Sequence, residues 1–318
     1  MTIDRARLYW GVFFIVLGAV PLAHNQGAVP MDTVKEMWRF WPFILIGIGL
    51  AIVLSRTPGA LIGGLVVAAC VGLVFGSLLA VGPEIGCGPN KGPSHSFIRY
   101  GTFDASNPSV HLDLQCGTAQ VTASSDDRWQ IDASIRGGDP DVIATSSSLT
   151  IRQGDRQAWF FNRSYDLWGV SLPSGMGSLS ASVDAGEASF NLAGAKIPNA
   201  AFSLNAGSMT VDLSTASVDN LTVESNVGST GLILDGASNT SGRISNSVGS
   251  TEICAPISLG LRIRYTSSLA SENFSSAGLA YVNGAWETPG YDTATYRADL
   301  TIDNSVGSVT LNPAGGCK

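Results

Sequence analysis

The sequence predicts two parts: an α-helical membrane anchor and a larger all-β domain built as a right-handed β-solenoid-like stack of short coils. Long apolar runs are concentrated before Gly82, whereas the rest of the chain is rich in Ser, Thr, Asn and Gly. In that second part, aliphatic residues alternate with polar ones, which is the pattern of β-strands. Four glycines there are equally spaced, at positions 186, 207, 228 and 249. A fixed period of about 20 residues is typical of coils that bury their apolar face only against neighbouring coils.

The anchor is predicted to contain three membrane-spanning helices, at about residues 8–23, 40–54 and 60–81. All three runs are apolar, and Trp10 and Trp38 stand at the ends of the first two, where interfacial aromatic residues are common. No small-residue cleavage site follows the first run, so we interpret it as an uncleaved span rather than a signal peptide. A segment dense in glycine and proline then forms a linker. The predicted domains are therefore a 1–82 anchor, an 83–96 linker and a 97–318 β domain.

Cysteine usage indicates the compartment of the β domain. Four cysteines follow the predicted spans, namely Cys87, Cys116, Cys254 and Cys317. An even number in a β region suits an oxidising compartment and two disulfides. Of the three pairings that four cysteines allow, we favour Cys87–Cys317, which would tie the ends of the domain together, with Cys116–Cys254; four unpaired core cysteines remain the alternative. Three spans with a cytoplasmic N-terminus also place the β domain outside the cytoplasm.

Each predicted coil has one strand before a glycine and one after it. The predicted turn glycines are Gly186, Gly207, Gly228, Gly249 and Gly307. We expect them at a bend that requires a positive φ or a close backbone approach. The apolar residues four and six positions after the glycines share one strand face, which predicts a ladder inside the stack; they are Phe190, Leu192, Val211, Leu213, Leu232, Leu234 and Ile253. Because Gly307 lies well beyond the next position that the regular spacing allows, an insert is expected to interrupt the register. For residues 97–160, where no period is visible, a β-sandwich remains the alternative.

An aromatic cluster precedes the coils. It comprises Trp159, Phe160, Phe161 and Trp168. Exposed aromatic side chains of this kind can stack on a sugar or dip into a membrane surface. We favour the alternative that they cap the open end of the stack, since a terminal coil would otherwise expose an apolar face.

The sequence does not favour catalysis or nucleic-acid binding. The net charge is −7, and no Lys/Arg-rich run is present. Asp212 and Asp235 lie five and seven residues after their glycines and so do not share a repeat position, no G-x-S-x-G motif occurs, and no cysteines have C-x-x-C spacing. We therefore expect no catalytic, metal or cofactor site.

Two groups of motifs resemble a known family. Leu8-Tyr9-Trp10-Gly11 and Trp41-Pro42-Phe43-Ile44 resemble the membrane hairpin of LiaF-type proteins. Trp168 to Pro173, the glycine-centred repeats and Trp286 to Tyr291 are similar to the toast-rack β domain of the same proteins. The family is associated with bacterial cell-envelope stress responses, and some members restrain a membrane histidine kinase that senses cell-wall-active antibiotics. Its hairpin is often doubled to four spans with a cytoplasmic β domain, whereas three spans are predicted here.

These observations predict a non-enzymatic, multi-pass bacterial membrane protein that acts as an accessory in envelope-stress sensing through protein contacts. The resemblance implies the lipid bilayer and a membrane histidine kinase or other membrane protein as partners. Gly59 and Gly63 form a small-xxx-small pair that favours helix packing or self-association. An extracytoplasmic adhesin-like or scaffold module that binds glycan, lipid or protein is the alternative.

Overall fold

The chain divides into two units, Met1–Ile85 and Gly86–Lys318. The computed structural model describes residues 11–12, 14–15, 87–88, 93–136, 138–153 and 163–317. Residues 11–12 and 14–15, in the first unit, are helical. The rest of the predicted anchor and most of the linker lie outside the described residues. Within the described part of the chain, no helix combines the length and the hydropathy needed to cross a membrane.

The second unit is almost entirely β-structure. Apart from a 3-10 turn at Tyr291–Thr293, the regular elements among its described residues are strands. In chain order they are β1 (Cys87–Gly88), β2 (His95–Thr102), β3 (Ser109–Ser124), β4 (Arg128–Ile135), β5 (Asp141–Ala144), β6 (Ser148–Arg152), β7 (Arg163–Ser164), β8 (Asp166–Pro173), β9 (Ser178–Asn191), β10 (Asn199–Asp212), β11 (Asn220–Ile233), β12 (Thr240–Cys254), β13 (Gly260–Glu272), β14 (Ala280–Val282), β15 (Ala285–Glu287) and β16 (Arg297–Leu311). β1 pairs with β7, and the other fourteen strands form one sheet.

Seven parallel strands form the centre of that sheet, in the order β3, β9, β10, β11, β12, β16 and β13. From β9 to β12, each residue pairs with the residue 21 positions later in the next strand. Gly207 therefore lies beside both Gly186 and Gly228. The connecting loops stack as well, as shown by the 2.9 Å bond from the Ile197 amide to the Ser217 carbonyl. Each repeat is therefore one coil that pairs with its neighbours over nearly its whole length.

Each glycine lies inside a single bent strand, and not between two strands as predicted. In β10, the inward residues before the bend are Ala200, Phe202 and Leu204, and those after it are Met209 and Val211. Leu204 and Met209 are five positions apart, an odd number. The inward-facing residues therefore have even numbers before the bend and odd numbers after it. Both arms consequently bury their apolar residues on the same side. The predicted ladder four residues after each glycine is buried there, as Phe190, Val211, Leu232 and Ile253.

The predicted interruption of the register is wrong. β16 pairs directly with β12, and Gly307 lies beside Gly249. The extra residues form β13 and the β14–β15 hairpin, and β13 lies on the far side of β16. The chain therefore forms β13, the outermost parallel strand, before it returns to form β16 between β13 and β12.

At the other end of the stack, a long segment also separates two strands that are neighbours in the sheet. Gly117 of β3 lies beside Gly186 of β9, and the strands β4 to β8 lie between these two in the sequence. The first arm of β3 pairs with β6, whereas its second arm pairs with β8. The sheet thus branches at β3, with β6 and β5 on one branch and β8, β4 and β2 on the other. Both branches are hydrogen-bonded to the repeat stack.

Candidate interaction surface

The glycines form a continuous row at the corner where the strands bend. Their φ angles lie between 130° and 144°, a region that side chains rarely adopt. A Cβ atom on Gly228 would lie 1.9 Å from the carbonyl oxygen of Gly207. Only glycine therefore allows the backbones to approach at this corner. The predicted turn glycines all occupy this row, which is Gly186, Gly207, Gly228, Gly249 and Gly307.

Gly117 adds a sixth member to the row. Its φ is 141°, and a Cβ there would lie 1.9 Å from the carbonyl oxygen of Asp166. The long, irregular separation of Gly117 from Gly186 in the sequence hides its place in the repeat. At the opposite end of the row, Ala270 of β13 lies beside Gly307.

A row of exposed aliphatic side chains runs directly beside the glycines. We call it the corner ridge; it consists of Val227, Val248, Val306 and Leu269, which are 53%, 47%, 42% and 78% exposed. These residues come from adjacent strands and pair in register. With about 4.8 Å between strands, the ridge extends about 14 Å along the stack. An in-register apolar row of this kind differs from the scattered exposed aliphatics that are normal on a protein surface.

The residues that directly flank the corner ridge are polar and uncharged. The residue before each ridge residue is Asn226, Ser247, Ser305 or Ser268, and the residue after each glycine of these coils is a serine. Towards the other end of the stack, the Asn226 amide donates to Asn205 at 2.7 Å, and the Asn205 amide donates to Asp184 at 2.8 Å. The corner therefore presents a narrow apolar row, and the residues that directly flank it on its four strands carry no charge.

A second polar cluster lies around Tyr291, at the β13 end. The Arg262 guanidinium lies 2.7 Å from a Glu287 carboxylate oxygen, 3.6 Å from Asp299 and 4.0 Å from the centre of the Tyr291 ring. The Tyr291 hydroxyl donates to Asp299 at 2.7 Å. The hydrogen bond to Glu287 raises the pKa of Arg262 despite some desolvation. Burial, and then the bond to Asp299, raise the pKa of Tyr291. These contacts join the hairpin and the 3-10 turn to β13 and β16.

Two clefts border this cluster, and Tyr291 lines both. Their volumes are about 430 Å³ and 210 Å³. The larger is lined by Asp219, Asn239, Thr240, Ser241, Tyr291, Thr295, Arg297 and Asp299. Among the described residues, no group of three His, Cys, Asp or Glu side chains is arranged to hold a metal ion.

The disulfide pairing differs from the favoured one. Cys254 is bonded to Cys317, with Cα atoms 5.9 Å apart, and Cys116 is also disulfide-bonded. Cys317 follows β16, whose Leu311 pairs with Ile253, so the chain end returns to the end of β12. Cys116 lies in β3, four strands from β12, or about 19 Å at the usual spacing. Because bonded cysteines have Cα atoms within about 7 Å, Cys116–Cys254 cannot form in this strand order. Cys87–Cys317 is excluded because Cys317 is already bonded.

The aromatic cluster is described only in part. Trp159, Phe160 and Phe161 lie outside the described residues. Trp168 is buried in β8, where it lies beside Ala119 of β3 and Ala133 of β4. Its side chain belongs to the core of the branched end and is not available to an external ligand.

Comparison with protein families identifies the N-terminal segment. Residues 8–53 match the LiaI-LiaF-like transmembrane region. The LiaF-type resemblance of this segment is thereby confirmed, and the chain is membrane-associated. No curated protein matches the sequence.

Several solved structures are similar to part of this chain. A candidate cell adhesion protein from Clostridium sporogenes is 16% identical and has a TM-score of 0.49, with 69% of this chain and 98% of that chain covered. A candidate adhesin from Parabacteroides merdae is 11% identical and has a TM-score of 0.30, with 71% and 99% covered. A candidate adhesin from Bacteroides fragilis is 11% identical and has a TM-score of 0.25, with 70% and 98% covered.

Proposed function

We propose that this protein is a non-enzymatic, multi-pass accessory of a bacterial cell-envelope stress response and that it acts through contacts with another membrane protein. The corner ridge is the observation that carries the proposal. It offers four exposed, in-register apolar side chains whose directly flanking residues are uncharged, as is typical of the core of a contact surface. The LiaI-LiaF-like match of residues 8–53 supports the membrane setting.

The form of the β domain suits this role. We interpret it as a toast-rack β-solenoid in which β9 to β12 and β16 are the regular coils. A stack of this kind presents a long, regular surface, because each coil repeats the same outward positions. The rows of Ser, Thr and Asn side chains on this surface favour binding of a partner over catalysis. The partner we propose is the extramembrane part of a sensor such as a histidine kinase, which the anchor would keep close to the β domain.

The compartment we propose is extracytoplasmic. Disulfides form and persist mainly in oxidising compartments, and Cys254–Cys317 and the bonded Cys116 support this placement. The proposed topology therefore has a cytoplasmic N-terminus, three spans and a β domain that contacts its partner outside the cytoplasm.

Genetic complementation tests the proposal. Deleting the gene should change the transcript response to a cell-wall-active antibiotic, and the wild-type gene should restore it. The variant Val248→Asp should fail to restore the response, because a carboxylate in the middle of the ridge would have to be desolvated on contact. Since Val248 is 47% exposed, the substitution should leave folding intact. The measurement is the transcript profile with and without antibiotic.

Ser247→Asp is the matched control, because it places the same charge on the neighbouring exposed residue of β12. It should restore the response, with protein levels equal to those of Val248→Asp. An unchanged transcript profile in the deletion strain would contradict the stress-response role. Full complementation by Val248→Asp would contradict the role of the ridge.

A further inference from the structure

Five polar side chains are buried in the apolar core on the inner side of the glycine corner. They are Ser225, Thr230, Asn246, Thr251 and Asn304, each 1–4% exposed. Ser225, Asn246 and Asn304 lie side by side on β11, β12 and β16, three residues before the glycines. Thr230 and Thr251 lie side by side two residues after them. On each arm of the bend, these rows are the inward-facing positions nearest to the glycine. The five side chains therefore share one corner of three adjacent coils.

The polar atoms of this cluster have no hydrogen-bond partner in the protein. This applies to the hydroxyl oxygens of Ser225, Thr230 and Thr251 and to both amide atoms of Asn246 and Asn304. A buried polar group without a partner costs about 1–3 kcal/mol. Seven such atoms would remove much of the stability of a typical domain, which is about 5–15 kcal/mol. The cluster therefore requires a partner from outside the chain.

The side chains at this corner are also smaller than those at the same positions of the neighbouring coil. In the neighbouring coil, β10, the two rows hold Leu204 and Met209, both buried. β11 replaces them with Ser225 and Thr230, which have smaller side chains. In-register Asn side chains elsewhere in the stack bond directly, as Asn226 and Asn205 do at 2.7 Å, whereas the Asn246 and Asn304 amides do not. Equivalent atoms on adjacent strands lie about 4.8 Å apart, which one bridging molecule can span.

We propose that this corner binds a row of internal water molecules that bridge the hydroxyl and amide groups of β11, β12 and β16. Water fits because the five side chains are neutral and include both donors and acceptors. Buried waters typically make about three hydrogen bonds to polar groups of this kind. The inference is independent of the proposed function, because it concerns the interior of the stack.

A high-resolution crystal structure of the full-length protein, grown with rubidium as the monovalent cation, tests this directly. We expect density peaks about 2.6–3.2 Å from at least two of the named polar atoms, without an anomalous rubidium signal. An anomalous peak in the corner would overturn the proposal in favour of a cation site. Absence of peaks, with the Asn246 and Asn304 amides bonded to each other, would also overturn it.

A pair of double variants tests the same point in solution. Ser225→Leu/Thr230→Met copies the β10 residues and fills the space, whereas Ser225→Ala/Thr230→Val removes the hydroxyls and adds little volume. If waters occupy the corner, the filled variant displaces them from Asn246, Thr251 and Asn304, so its Tm should be at least about 5 °C below that of the Ala/Val variant. In a dry corner, filling the void stabilises the core. An equal or higher Tm for the Leu/Met variant would therefore overturn the proposal.

Discussion

At the residue scale, the row of glycines determines where the strands can bend. From Gly186 to Gly307, each glycine packs against the carbonyl of the preceding glycine in the row, and Gly117 packs against that of Asp166. A side chain at any interior position would displace a backbone that is paired on both sides. The row ends where the geometry changes: Ala270 of β13 has only one parallel neighbour and no positive φ.

Gly228→Ala should be strongly destabilising. Its Cβ would lie 1.9 Å from the Gly207 carbonyl oxygen, at a φ of 144° that alanine adopts only with strain. We expect the free energy of unfolding to fall by at least about 3 kcal/mol. Denaturant unfolding of the purified full-length protein, followed by tryptophan fluorescence, measures this.

Gly138→Ala is the matched control. A Cβ at Gly138 meets no atom within 4 Å, and its φ is not in the left-handed region. Its effect should stay within about 0.5 kcal/mol. Equal unfolding free energies for the two variants would show that the close approach at the corner does not hold the coils together.

At the element scale, the period predicted the pairing of neighbouring coils but not the strand order at the ends. The regular spacing places Gly186 to Gly249 side by side because successive coils are adjacent in space. β16 follows β13 in the chain but lies inside it, and no local pattern encodes this inversion. The disulfide pairing was mispredicted for the same reason, since it depends on which strand lies beside β12.

The corner ridge could not be predicted from the alternation of residues. In β11, Val227 is in phase with Leu221 and Val223, which face inward, so alternation alone would also bury Val227. The bend at Gly228 turns it outward instead. The signal that could have located the ridge was the glycine itself, because a positive φ at a fixed position changes which residues face the core.

The Cys254–Cys317 disulfide should stabilise the inverted end of the stack. It links residues 63 positions apart and closes a segment that contains β13 to β16. The double variant Cys254→Ser/Cys317→Ser should lose about 4 kcal/mol of unfolding free energy, because the unfolded chain regains the entropy that the cross-link removes. Denaturant unfolding measures the loss, and amide hydrogen exchange should show weaker protection in β16. Unchanged stability and unchanged exchange would mean that strand pairing alone holds β16 in place.

At the scale of the whole molecule, a membrane segment similar to that of LiaF-type proteins is combined with a disulfide-bonded β domain. These features favour different compartments, since the family often has a cytoplasmic β domain whereas disulfides are rare in the cytosol. The number of membrane spans decides between the two compartments. With a cytoplasmic N-terminus, an odd number of spans places the β domain outside the cytoplasm, and an even number places it in the cytoplasm.

A membrane-impermeant maleimide applied to intact cells resolves this conflict. We expect Cys254 and Cys317 to react only after reduction, because their thiols are bonded to each other. The variant Ser247→Cys, on an exposed residue of β12, should react without reduction and serves as the positive control. If Ser247→Cys reacts only after the membrane is broken, the β domain is cytoplasmic, the three-span topology is wrong, and the partner contact must be sought on a cytoplasmic kinase domain. Reaction in intact cells would instead direct the search for the partner to the extracytoplasmic surface of the sensor.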